Sequence, residues 1–105
     1  MLKVKEEIYE ISYNNEVIDL TPKEYELLKT LIYQSHKVLS KSEITEQIWP
    51  NKTPKSRVVD TYVSRIRKKL KRFGHPGIMV QSKRGYRLIK MPANNIIKSW
   101  IYNYK

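Results

Sequence analysis

Residues 56–72 read SRVVDTYVSRIRKKLKR, and the fold turns on how this stretch is read. On a wheel of about 100° per residue, Val59, Val63, Ile66 and Leu70 share one narrow sector, at spacings of four, three and four. That stripe predicts an amphipathic helix with one buried face. The opposite sector carries Arg57, Thr61, Ser64 and Lys68, with Arg65 at its edge and no acidic residue among them. A face of this kind is either a solvated surface or a contact surface for a polyanion.

Charge distribution separates the two. The chain has 105 residues and a formal net charge of +11. Residues 1–50 carry six basic and nine acidic side chains, net −3, whereas residues 51–105 carry fifteen basic and one acidic, net +14. A solvated face needs no such segregation. A nucleic acid or an anionic membrane surface would meet the second half. The length suits one domain around one hydrophobic core.

Outward from the basic helix, two shorter helices are marked by their start signals. Thr21-Pro22-Lys23-Glu24 is a capping box with proline at the first helical position, followed by Tyr25, Leu28, Leu31 and Ile32 at helical spacing. Ser40-Lys41-Ser42-Glu43 repeats the capping box ahead of Ile44 and Ile48, Val38-Leu39 packs as a staple before it, and Pro50 ends the helix after Trp49. Residues 8–19 hold two β-rich runs around Asn14-Asn15, a pair suited to a tight hairpin turn. After the basic helix, Gly74, Pro76 and Gly77 turn the chain. Ile78 and Val80, then Tyr86 and Leu88, alternate as two strands about a tip at Ser82–Arg84. The order is a small sheet, three helices and a hairpin, an α+β domain.

A helix of this width fits the DNA major groove. Arginine there donates two bonds to guanine, serine and threonine serve several bases, and a threonine methyl packs on thymine. Lys69, Lys71 and Arg72 continue the charge around the helix end, where phosphate contacts would set register.

Four stretches in this order resemble one family, the OmpR/PhoB-type winged helix-turn-helix output domain, across residues 8–90. They are Leu20-Thr21-Pro22-Lys23-Glu24-Tyr25-Glu26-Leu27-Leu28, then Val38-Leu39-Ser40-Lys41 with Ile48-Trp49, then Arg57 through Leu70, and Gly85-Tyr86-Arg87-Leu88. The resemblance implies a DNA-binding domain over 1–90, with a tail or linker over 91–105. It implies a recognition helix about 56–72 in the major groove and a basic wing about 78–90 at the minor groove. By position, Arg57, Thr61, Ser64 and Arg65 face the groove, Arg67 meets phosphate, Lys68 belongs with them to the DNA-binding set of the recognition helix, and Lys83, Arg84 and Tyr86 belong to the wing. The Tyr86 ring would pack the wing, with its hydroxyl toward the DNA backbone. Ser82 stands where an arginine is common in the family.

The ending Lys83-Arg84-Gly85-Tyr86 and the short loop after Trp49 resemble the ToxR/CadC-like branch. That branch implies a cytoplasmic regulator or the cytoplasmic part of a membrane-anchored one, and the Met1 start implies control other than by a receiver on the same chain. Residues 50–55 occupy the place that in some members touches RNA polymerase. With no acidic or aromatic side chain there, the segment reads first as a connector. One helix and one wing cover a short site, which implies two copies arranged head to tail on repeated half-sites.

Other chemistries find little support. There is no cysteine, and His36 and His75 stand apart without metal-ligand spacing, so no metal or cofactor is expected. No glycine-rich phosphate loop, nucleophile motif or paired-carboxylate pattern occurs, and neither an enzyme activity nor a small-molecule substrate is expected. Asp60 reads as a local helix contact and Trp49 as core. Two competing functions stay open: a protein-interaction module using the tail aromatics Trp100 and Tyr102, and a binder of single-stranded RNA or membrane surface. The last needs aromatics interleaved with the basic stripe, and only Tyr62 lies near it.

Overall fold

A computed structural model describes residues 1–51 and 56–89, Ser56 by its backbone alone. Strands β1 (Leu2–Lys5), β2 (Glu10–Tyr13) and β3 (Glu16–Val17) form an antiparallel sheet in that order. Helices α1 (Pro22–Tyr33), α2 (Lys41–Ile48) and α3 (Ser56–Arg72) follow, and a hairpin of β4 (Ile78–Gln81) and β5 (Gly85–Leu88) closes the described chain. The sheet, three helices and hairpin expected from the sequence are present in the expected order.

The sheet starts earlier than its sequence suggests. Leu2↔Tyr13 and Val4↔Ile11 pair β1 with β2, after a single 3₁₀ turn at Glu6–Ile8 and a left-handed Tyr9 (φ 53°) reverse the chain. Asn14 (φ 50°) and Asn15 (φ 69°) then make the tight turn into β3, both in the left-handed conformation that a two-residue hairpin loop requires.

Both capping boxes form. The Glu24 N–H donates to Thr21 Oγ1 at 3.4 Å and the Thr21 N–H to Glu24 Oε1 at 2.9 Å. The Glu43 N–H donates to Ser40 Oγ and the Ser40 N–H to Glu43 Oε1, both at 3.1 Å. Each box satisfies two amide donors that a helix start otherwise leaves to water.

The core lies where α1, α2 and α3 meet under the two sheets. Val59, Val63, Ile66 and Leu70 are all buried, as the wheel of α3 requires, and they join Leu28, Leu31, Leu39, Ile44 and Ile48. Two neighbours in α1 belong to this core without lying on the expected stripe: Leu27 and Glu24. In the hairpin Ile78, Tyr86 and Leu88 are buried, while Val80 is 52% exposed because the hairpin runs past the edge of the core.

Lys69 is placed differently from its sequence-stretch neighbours. Its ammonium lies 2.6 Å from Glu24 Oε1 and donates to the Asp19 carbonyl at 2.6 Å, which ties α3 to the start of α1. A phosphate contact was expected of it; the ammonium instead compensates a carboxylate that is 2% exposed. The partner lies 45 residues away in the acidic half of the chain, beyond the reach of any local pattern.

His75 closes the turn between α3 and β4. It is buried edge-on to Tyr13, and its Nδ1 accepts the Gly77 N–H at 2.8 Å. Burial pushes its imidazole down to about 4, which keeps that nitrogen an acceptor.

Candidate nucleic-acid interface

The buried stripe of α3 dictates what the other side shows. Arg57, Thr61, Ser64, Arg65 and Lys68 are exposed together, and Lys71 and Arg72 extend them to the helix end. The 17-residue helix presents this ridge over a length of about 25 Å. At the far end of the hairpin Ser82, Lys83 and Arg84 are exposed, with Lys83 left-handed (φ 64°) and the Arg84 N–H closing the turn on the Gln81 carbonyl at 3.0 Å. The structure thus offers two separate basic projections, a ridge and a tip.

What fixes one against the other is a junction at Tyr86. Its backbone pairs with Leu39 in both directions, the Leu39 N–H donating at 2.8 Å and the Tyr86 N–H at 2.9 Å. Gly85 beside it packs so closely that a Cβ would stand 1.9 Å from the Leu39 carbonyl oxygen. The Tyr86 hydroxyl donates to Asp60 on α3, and Asp60 also takes Lys41 of α2 at 3.0 Å. Burial, followed by the Asp60 carboxylate, raises the Tyr86 hydroxyl to about 12. The Tyr86 hydrogen bond, helped by Lys41, holds Asp60 below its ordinary range. The only acidic side chain between residues 51 and 105 is therefore engaged by Tyr86 and Lys41 at the junction, its charge compensated at the border of the ridge.

Arg67 joins α3 to the hairpin from the other side. Its Nη2 donates to the Ile78 carbonyl at 3.1 Å, and its Cγ lies against Gly77. Of the nine positions that the family resemblance places at the DNA, seven project outward: Arg57, Thr61, Ser64, Arg65, Lys68, Lys83 and Arg84. Arg67 and Tyr86 are engaged between the ridge and the tip.

A groove of about 560 Å³ separates the hairpin from the helices, lined by Lys41, Ser42, Asp60, Lys83, Arg84 and Tyr86 among others. Lys41 and Ser42 come from the start of α2, which the sequence marks only as a cap. Their place beside the tip depends on the Leu39–Tyr86 pairing, which carries no local signature.

Tyr86→Phe tests the junction. The hydroxyl bonds a carboxylate that stays partly exposed, so its loss is expected to cost about 1–2 kcal/mol, read as a melting temperature lower by ~4–12 °C. A variant that melts with the parent would show that backbone pairing alone holds the hairpin.

Among the described residues no cluster of three His, Cys, Asp or Glu is placed to hold a metal. No described helix is long and apolar enough to cross a membrane.

Comparison with known proteins places this geometry. Residues 14–88 match the family described as "Transcriptional regulatory protein, C terminal". Response regulator RR06 of Streptococcus pneumoniae is 47% identical over 64 residues, covering 59% of this chain and 30% of that protein. The chain spans about a third of the length of the curated relatives it matches, between 28% and 39% of each. Among solved structures, the DNA-binding domain of response regulator AdeR in complex with an intercistronic region superposes with a TM-score of 0.74 at 27% identity, covering 85% of this chain and 94% of that one. The DNA-binding domain of E. coli CadC gives 0.74 at 30% identity, covering 86% and 87%.

Proposed function

We infer the function from the family: the chain belongs to the C-terminal domains of transcriptional regulatory proteins, and it is a sequence-specific double-stranded-DNA-binding module of a transcriptional regulator. The observation that carries this reading is the exposed ridge of α3, free of acidic side chains, with a second basic projection held at a fixed place beside it.

In this reading α3 enters the major groove, with Arg57, Thr61, Ser64 and Arg65 at base edges and Lys68 at the backbone. Lys83 and Arg84 reach the adjacent minor groove. Arg67 and Tyr86 hold the tip at the distance the two grooves require. The AdeR domain, of the same fold, is in complex with an intercistronic region, which supports a duplex partner for this chain.

Finer features belong to the same proposal. Two copies bind head to tail on repeated half-sites. A contact with RNA polymerase would use residues 50–55, of which 52–55 lie outside the described residues. A cytoplasmic location follows from acting on a promoter. The likeness to the CadC domain supports a ToxR/CadC-like branch, while the curated relatives include response regulators. The tail expected over 91–105 lies outside the described residues.

Selection from a random duplex library at moderate salt, comparing parent with Arg65→Ala and Arg84→Ala, tests the reading. An enriched motif is expected. Arg65→Ala should relax one base-pair position by about 1–3 kcal/mol. Arg84→Ala should weaken all sequences and make the salt slope shallower by about one, from near −5 if some six phosphates are neutralised. No motif, with both variants binding as the parent does, would leave protein interaction as the function.

A further inference from the structure

We propose that Tyr62 is a positioning residue for base recognition: its ring holds the Arg65 guanidinium in place on the ridge, and so sets how strictly one base pair is read. The proposal rests on the DNA-binding reading above and concerns a side chain that is partly buried against the core.

The geometry forms a relay across all three helices. The Arg65 guanidinium carbon lies 5.5 Å from the centre of the Tyr62 ring, one helical turn back on α3. Stacking at i, i+3 is available on any helix, and alone it would mean little. Here the ring is itself braced. Trp49, at the end of α2, meets Tyr62 with centroids 5.4 Å apart and planes at 62°. Lys23 of α1 stands 6.0 Å from the Trp49 ring centre, and its ammonium donates to the Ile48 carbonyl at 2.8 Å. Tyr62 and Trp49 are both partly buried against the core, whereas Arg65 is exposed.

An arginine on an open helix face samples many rotamers, and a base contact must freeze one of them. A ring face attracts the guanidinium and restricts it before DNA arrives, while its N–H edge stays available for the two parallel bonds that guanine accepts. Because Trp49 and Lys23 immobilise the ring, the restriction is inherited from the packing of α1 and α2. The energy of such a stack at a partly exposed site corresponds to about a three- to tenfold change in an equilibrium.

The test is duplex selection with Tyr62→Leu, Tyr62→Phe and Arg65→Ala, each checked for melting temperature, with Tyr62→Met as a second replacement should leucine fail to fold. Tyr62→Leu is expected to lower discrimination about three- to tenfold at the one base pair that Arg65→Ala relaxes. Other positions, non-specific affinity and salt slope should hold. Tyr62→Phe keeps the ring and should restore the preference. In the Arg65→Ala background, Tyr62→Leu should add nothing at that position. A Tyr62→Leu or Tyr62→Met protein that folds and keeps the full preference overturns the proposal alone. So does a loss spread evenly over all positions. A parent protein that selects no motif overturns the DNA-binding reading and this proposal with it.

Discussion

Gly85→Ala is expected to destabilise the domain by at least about 3–5 kcal/mol, a large share of the 5–15 kcal/mol that holds a domain of this size. The added Cβ would stand 1.9 Å from the Leu39 carbonyl oxygen, 2.7 Å from its carbon and 2.9 Å from Ser40 Cα. All three are backbone atoms, so no side chain can swing aside. Moving them means breaking the paired bonds between Leu39 and Tyr86 or displacing the cap of α2. The position also has φ +138°, which an L side chain adopts only with strain. Thermal melting should show a drop of ~15 °C or more. Gly74→Ala is the control: it also has positive φ, +85°, but nothing lies within 4 Å of its added Cβ. It should cost about 1 kcal/mol. If the two variants melt together, conformation and not contact decides the role of Gly85.

The second large effect is expected from Lys69→Met, at about 3–5 kcal/mol. The substitution keeps the apolar stem and removes the charge that faces Glu24 at 2.6 Å. Burial works to raise the pKa of Glu24, but the Lys69 ammonium and the Thr21 N–H outweigh it and hold the carboxyl below its ordinary 4.5. Without Lys69 a carboxylate that is 2% exposed loses its compensating charge. Adding Glu24→Gln should recover most of the loss, because the amide still accepts the Thr21 N–H and carries no charge. Since the folded pKa of Glu24 lies below the unfolded one, the pair stabilises fully above pH ~4.5, and its contribution disappears as pH falls through the lowered value. Denaturation midpoints measured from pH 7 downward should therefore show parent and Lys69→Met converging in acid. A gap that stays constant across that window would mean that Lys69 contributes through its bond to the Asp19 carbonyl and not through the Glu24 charge.

These two sites mark where the sequence could be read and where it could not. The helix starts at Thr21 and Ser40 are legible because a capping box is complete within four residues. The ridge of α3 is legible because burial of Val59, Val63, Ile66 and Leu70 leaves Arg57, Thr61, Ser64 and Lys68 only the opposite side. The partners of Lys69, Arg67 and Tyr86 are not legible, since each bond spans 11 to 45 residues and depends on how elements cross. Basic and polar groups that look alike in a one-dimensional pattern thus divide into those facing outward, such as Arg65 and Lys68, and those consumed inside the fold, Arg67 and Tyr86 between α3 and the hairpin and Lys69 between α3 and α1. Strand β1 is not legible for a related reason: its alternation covers only Leu2 and Val4, and its pairing with β2 gives it meaning. Asp60 reads locally as a helix contact, and its bonds run instead to α2 and β5.

The anchorage of β5 at Tyr86 has a mechanical side. Beyond the last core residue the hairpin is a cantilever, clamped at Tyr86 and carrying its charges about two residues further out, an overhang of about 7 Å. Thermal wander at the end of a beam grows steeply with its free length. A short overhang lets a two-stranded ribbon, feeble by itself, deliver Lys83 and Arg84 to a narrow target with little spread. Lengthening the beam by one residue pair would blur that delivery even with every charge retained, so hairpin length is as much a determinant of fit as hairpin composition.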